Sequence, residues 1–165
     1  MISLRTTAAV VGTMVSPLLV AGCGNAITTD IIGAVGVSLD RAGSPQLVLA
    51  VCSGSVDEIE LYGPHQGGET TSQEPIGVWR AKESVTAGTV LDLSNPGSAW
   101  TVVRDPGTLK PGESYSAFGV SLSEDQEISQ VDFTLDRLKR LSADQVLYYH
   151  SKRVKADELH ATVCQ

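Results

Sequence analysis

Cysteine and histidine are the residues of this chain whose side chains most readily bind metals or act as nucleophiles. There are three of each: Cys23, Cys52, Cys164, His65, His150 and His160. The sequence has no Cys-x-x-Cys pair, His-Glu-x-x-His pair, Gly-x-Ser-x-Gly elbow or phosphate-binding glycine loop. We therefore predict a protein that is not an enzyme, with no catalytic residues, no cofactor and no metal.

Two alternatives stay open. A final hairpin with its turn at 152–157 would bring His150 and His160 together beside Cys164, as a metal-handling protein requires. Acidic runs at 57–60 and 124–127 could supply the acid and base of a cell-envelope hydrolase, although such runs usually form solvated surfaces.

The first 23 residues have the pattern of an export signal. Arg5 supplies a positive charge, and the uncharged stretch from Thr7 to Val20 is too short to span a bilayer. The stretch runs into Leu19-Val20-Ala21-Gly22-Cys23, which resembles the lipobox of bacterial lipoprotein signal peptides. This resemblance implies that residues 1–22 are removed and that the Cys23 sulfur carries a diacylglyceryl group.

The lipobox resemblance also implies a location and a domain organisation. We expect an exported protein that its lipid anchors to the outer face of the bacterial cytoplasmic membrane. Residues 23–33 would be the acylated cysteine and a short tether, and residues 34–165 the folded domain. A tether of about nine residues spans at most about 30 Å, so the domain would stay close to the membrane.

Once Cys23 is acylated, Cys52 and Cys164 are the two remaining cysteines. In an exported chain such a pair most simply forms one structural disulfide. We predict that this disulfide joins the final strand of the domain to an early one.

The charge of the chain is acidic overall but unevenly distributed. The net charge of −7 excludes a nucleic-acid binder, because phosphates must be neutralised by Lys and Arg. One basic zone nevertheless stands out, and with Tyr149 it is our candidate binding surface. It comprises Arg137, Lys139, Arg140, Lys152, Arg153 and Lys155. An anionic lipid, a cell-wall polymer or another envelope protein would be its partner.

Short strand-like runs separated by turn residues predict an all-β domain. The predicted strands are 34–39, 47–52, 56–62, 77–80, 89–93, 100–103, 115–122, 131–135, 145–150 and 159–164. The continuous apolar run 47–52 predicts a strand that is buried on both faces, and alternation predicts that Phe118, Val120 and Leu122 point inward. Only the leucines at 135, 138 and 141 have helical spacing. An antiparallel β-sandwich fits this pattern best.

Leu109-Lys110-Pro111-Gly112-Glu113-Ser114-Tyr115 resembles the tyrosine corner of fibronectin type III and other immunoglobulin-like domains. The resemblance implies an immunoglobulin-like β-sandwich in which Leu109 and Pro111 form the corner and Tyr115 covers the core. The cysteines depart from the immunoglobulin pattern, so the strand order is not predicted. The layout also resembles small actinobacterial lipoproteins, and we expect a membrane-anchored binding or structural module of the cell envelope.

Overall fold

The computed structural model describes residues 29–64 and 74–165, so Cys23 and His65 lie outside the described residues. The described chain is mostly β-structure, which confirms the prediction of an all-β domain. Its strands are β1 (Asp30–Leu39), β2 (Pro45–Val51), β3 (Val56–Tyr62), β4 (Gly77–Val85), β5 (Val90–Asp92), β6 (Trp100–Arg104), β7 (Tyr115–Val120), β8 (Gln126–Phe133), β9 (Gln145–Tyr148) and β10 (Lys152–Lys155). Its helices are α1 (Leu135–Leu138), a 3₁₀ turn (Ala156–Glu158) and α2 (Leu159–Val163).

Strand β1 pairs with three other strands and connects the two halves of one curled sheet. Along one edge it is antiparallel to β2, which pairs in turn with the short β5. Along the other edge β8 runs parallel to the first half of β1, and β9 runs antiparallel to the second half. Beyond β8 the order is β7, β3, β4 and β6, and β10 lies outside β9. The prediction of a purely antiparallel sheet is therefore wrong.

The parallel pairing includes residues of the predicted tether. Asp30 and Ile31 are in register with Gln126 and Glu127, so residues 30–33 belong to β1. Gly33 lies two residues after Ile31, where β1 and β2 approach closely. A Cβ atom at Gly33 would overlap the carbonyl oxygen of Ala50.

The core lies on both faces of β2. Leu47, Leu49 and Val51 face the main apolar cluster, whereas Val48 and Ala50 face a second, smaller one. The prediction that this strand is buried on both faces is thus confirmed. The main cluster also contains Trp79, Phe133 and Leu138.

The C-terminal segment is a helix, not the predicted strand 159–164. Leu159 is buried in the second cluster and Val163 packs against it, because residues four apart share one face of a helix. The predicted turn 152–157 is also wrong: its first four residues form β10, which pairs with β9. The single helical turn that the leucine spacing predicts is present as α1.

Strand β7 turns the opposite face inward from the one predicted. Tyr115, Ala117 and Gly119 are buried, whereas Phe118 and Val120 are only partly buried. Leu122 lies beyond the strand and is exposed. A Cβ atom at residue 119 would come within 2.8 Å of Ile59 and Val56, so the inner face accepts only small residues here.

Candidate binding cleft

A cleft opens where β8 and β9 separate from the shared edge of β1. We call it the fork cleft, and its volume is about 470 Å³. Strand β1 forms its floor. Ser129 of β8 and the β9–β10 turn lie on one side of β1, and Cys52 and the end of α2 lie on the other. Its lining residues are Ile31, Gly33, Ala34, Cys52, Ser129, Tyr148, Tyr149, Lys152, Thr162 and Val163. The lining combines one cation, hydroxyl groups and apolar side chains.

The rim of the fork cleft at the β9–β10 turn has an unusual backbone. His150 and Ser151 have φ values of 50° and 70°, in the left-handed region that non-glycine residues seldom adopt. The rings of Tyr149 and His150 contact each other with centroids 3.9 Å apart. This turn therefore holds Tyr149 at the rim, immediately before Lys152 begins β10.

The disulfide forms the wall of the cleft nearest to α2. Cys52, which follows β2, is joined to Cys164, which follows α2, with Cα atoms 5.1 Å apart. The predicted pairing is therefore present, although Cys164 follows a helix and not a strand. The bond fixes the end of α2 beside the fork cleft.

The structure divides the predicted basic surface between two regions. Tyr149 and Lys152 line the fork cleft, and Arg153 and Lys155 follow Lys152 along the edge strand β10. Arg137, Lys139 and Arg140 lie instead on and after α1, where Lys139 is 3.9 Å from Asp136. Sequence reasoning grouped these residues because they are close along the chain.

Lys139 lines a second cleft, of about 270 Å³, at the opposite end of β1 from Asp30. Most of its wall is apolar and comes from the β1–β2 turn, the segment before β7, and α1. Leu39, Pro45, Leu93, Leu109 and Leu135 contribute side chains.

Leu109 lines this second cleft and packs against the main apolar cluster, to which Tyr115 belongs. The Tyr115 ring is buried against Phe133, with centroids 5.7 Å apart. Its hydroxyl accepts a hydrogen bond of 2.8 Å from the Lys110 backbone N–H and donates one of 2.9 Å to the Glu113 carboxylate. Pro111 lies in the turn between them. Burial and the neighbouring Glu113 carboxylate raise the pKa of Tyr115 above its ordinary value.

The outer face of β3 carries a network of charged and aromatic side chains. Glu58 is buried and accepts two hydrogen bonds, of 2.9 and 2.6 Å, from the Arg80 guanidinium. Tyr62 donates a hydrogen bond of 2.6 Å to Glu60 and stacks on Phe118, with centroids 5.5 Å apart. Burial and the contact with Glu60 raise the pKa of Tyr62. These groups satisfy one another, which favours a structural role for the face.

Asp57 connects three segments of the chain near the start of β1. Its carboxylate accepts hydrogen bonds from the Ser84 and Ser121 hydroxyls and one of 3.0 Å from the Leu122 backbone N–H. The Ser84 hydrogen bond is the largest of the effects that hold the pKa of Asp57 below its ordinary value of 3.8.

We expect Asp57→Asn to lower the free energy of unfolding by about 1 kcal/mol at pH 7. Because the folded-state pKa is lowered, the contribution is complete above the ordinary carboxyl pKa and is lost as the pH falls through the folded value. The difference from the wild type should therefore shrink below about pH 4 in urea titrations. Asp144→Asn, at an exposed residue, is the control, and an Asp57→Asn difference that grows in acid would contradict this assignment.

The geometry bears on the metal-handling alternative. His150 lies at the β9–β10 turn and His160 on α2, so the hairpin that would have paired them does not form. Within residues 29–64 and 74–165, no three His, Cys, Asp or Glu side chains are grouped as metal ligands. Cys164 is engaged in the disulfide.

Sequence reasoning missed most of the fork cleft. Ser129, Thr162 and Val163 were not singled out, and they come from β8 and α2, which are distant in the chain. A weak signal was present in Gly33 and Gly36, because glycines within an apolar strand often mark a close approach of neighbouring chain segments.

Comparison with known proteins adds no relative to this description. No described helix is long and apolar enough to cross a membrane. No family model, no curated protein and no solved structure matches the chain.

Proposed function

We propose that this protein is an exported, lipid-anchored binding or structural module of the cell envelope, on the outer face of the bacterial cytoplasmic membrane. The observation that carries the proposal is the Cys52–Cys164 disulfide. Structural disulfides persist in oxidising, extracytoplasmic compartments and are rare in the cytosol. The lipobox-like run ending at Cys23 gives an independent reason to expect export, together with an anchor.

We further propose that the domain is an immunoglobulin-like β-sandwich. In that fold the first, second and fifth strands share one sheet, and the C, F and G strands form the other. The neighbouring strands β1, β2 and β5 match the first group, and β3, β7 and β8 match the second. Tyr115 begins β7, the equivalent of the F strand. Its hydroxyl accepts a hydrogen bond from the Lys110 backbone N–H, which supports the same assignment.

The proposed activity is binding. The fork cleft is lined by polar and apolar side chains, and exposed cations lie on β10 and after α1. These features would suit an anionic lipid, an acidic cell-wall polymer or another envelope protein. The membrane itself is the first partner, through the acyl chains on Cys23.

The anchor is tested by Cys23→Ala in the native host. We expect the wild-type protein in the membrane fraction and the variant released from it, since a lone apolar stretch of this length does not span a bilayer. Ser53→Ala is the matched control, because it makes an equally small change at an exposed residue outside the lipobox, keeps the disulfide and should leave the protein in the membrane fraction. Equal fractionation of the wild type and Cys23→Ala would contradict the proposal.

A further inference from the structure

We propose that the fork cleft binds one glycerophospholipid of the adjacent membrane and recognises it through the phosphate. This inference rests on the proposed function, because the lipid anchor is what brings the cleft to the membrane. Three observations carry it: the unpaired donors of the cleft, its apolar entrance and its position relative to Cys23.

The donors are grouped on the β9–β10 side of the cleft. Lys152 forms no ion pair within 4 Å in the part of the chain that the structure describes, whereas Lys155 on the same strand is 3.9 Å from Glu158. The hydroxyls of Tyr148 and Tyr149 form no hydrogen bond with another described residue, so they too can donate to a ligand. One ammonium and two phenols suit a phosphate, which accepts several charge-assisted hydrogen bonds.

The floor of the cleft and its α2 side carry apolar side chains. Ile31 is 55% exposed at the entrance, and Ala34 and Val163 continue the apolar wall. Tyr149 is 43% exposed on the facing rim. Exposed aliphatic and tyrosine side chains beside a lysine are typical of surfaces at the membrane interface, where the ring and the aliphatic groups contact acyl chains and the cation contacts phosphate.

The position of the cleft follows from the chain length before β1. Thr29, the first described residue, is six residues from Cys23 in sequence, a separation of at most about 20 Å. Ile31 follows two residues later, so an acylated Cys23 keeps the cleft entrance within reach of the headgroups. The second cleft, at the other end of β1, lacks this proximity.

The Glu127 carboxylate next to the cleft favours one kind of phosphate ester as the ligand. Glu127 is in register with Ile31 on the adjacent strand, on the same outer face as Ser129. A carboxylate there would repel a doubly charged phosphomonoester more than a singly charged phosphodiester. We therefore infer a phosphodiester lipid, such as phosphatidylglycerol or phosphatidylethanolamine.

Native mass spectrometry of the full protein, purified from membranes in detergent and mixed with phosphatidylglycerol, tests this inference. We expect one phospholipid adduct on the wild type. Lys152→Gln/Tyr149→Ser should lower the adduct fraction about tenfold, because two donors to the phosphate are removed. Lys82→Gln/Leu122→Ser, which removes a lysine and an exposed apolar side chain elsewhere, should keep the wild-type adduct.

The outcomes separate this inference from the anchor. The lipid on Cys23 is covalent and survives strong collisional activation, whereas the adduct dissociates. An adduct that is equal in the wild type and in Lys152→Gln/Tyr149→Ser would overturn the inference even with the anchor in place. Equal binding of phosphatidylglycerol and of glycerophosphoglycerol, the same phosphodiester without acyl chains, would also overturn it, since the apolar wall would then contribute nothing. A missing covalent lipid would instead refute the anchor.

Discussion

Reduction of the Cys52–Cys164 disulfide is expected to lower the free energy of unfolding by about 4–5 kcal/mol. The bond closes a loop with a sequence separation of 112 residues, and its loss returns the corresponding entropy to the unfolded chain. A domain of this size is stable by about 5–15 kcal/mol, so the reduced protein should unfold at a much lower urea concentration. We also expect α2 to lose protection from hydrogen exchange first.

The Cys52→Ser/Cys164→Ser double variant separates the bond from the reagent. It should match the reduced wild type in urea titrations, and adding reductant should not change it further. A wild type whose unfolding midpoint is unaffected by reduction would show that the disulfide contributes little. In that case packing of Leu159 and Val163 on the second cluster would suffice to hold α2.

Trp79→Ala is expected to cost about 3–5 kcal/mol, the second large effect. Trp79 is the largest of the fully buried side chains in the described chain, with 1% of its surface exposed, and its ring packs over Gly77 within β4. Truncation leaves a cavity between the sheet halves that the surrounding strands cannot close. Urea unfolding of the purified variant measures the loss.

Two further substitutions make the Trp79 result interpretable. Val102 is in register with Trp79 on β6 but is 46% exposed, so Val102→Ala should cost less than about 0.5 kcal/mol. Trp79→Phe keeps an aromatic ring, so its loss of unfolding free energy should lie between those of Val102→Ala and Trp79→Ala. It provides a measurable value if Trp79→Ala fails to fold. Similar losses at residues 79 and 102 would contradict the assigned core.

Alternation and apolar runs predict the position of most strands, but they do not always predict which face of a strand is buried. At β7, the large side chains of Phe118 and Val120 suggested the inner face, yet the buried ring of Tyr115 fixes the alternation. With a period of two, residues 117 and 119 must then face inward. The burial of Tyr115 therefore determines the orientation of β7, whatever the size of the side chains on the other face.

The ends of the domain were harder to predict for a different reason. Leu159, Ala161 and Val163 alternate as in a strand, but Leu159 and Val163 are also four residues apart, as on a helix face. Only the second cluster on β2 decides between these patterns. The parallel pairing of β1 with β8 is a long-range contact with no local signal, which is why the sequence pattern places Asp30 and Ile31 in the tether.

The candidate site was only partly predictable. Tyr149 and Lys152 are predictable from the local composition, and Cys52 from cysteine counting. Their position around one cleft depends on the division of the β1 edge between β8 and β9, which no local pattern encodes. For the same reason, the sequence groups Arg137 and Arg140 with Lys152, although they lie on a different part of the surface.

The most direct test of the lipid-anchored, disulfide-bonded account is the intact mass of the protein from its native membrane fraction, with thiols alkylated before and after reduction. The account predicts a chain that begins at an acylated Cys23 and ends at Gln165, with two thiols that react only after reduction. A mass without lipid, or thiols of Cys52 and Cys164 that react before reduction, would contradict it.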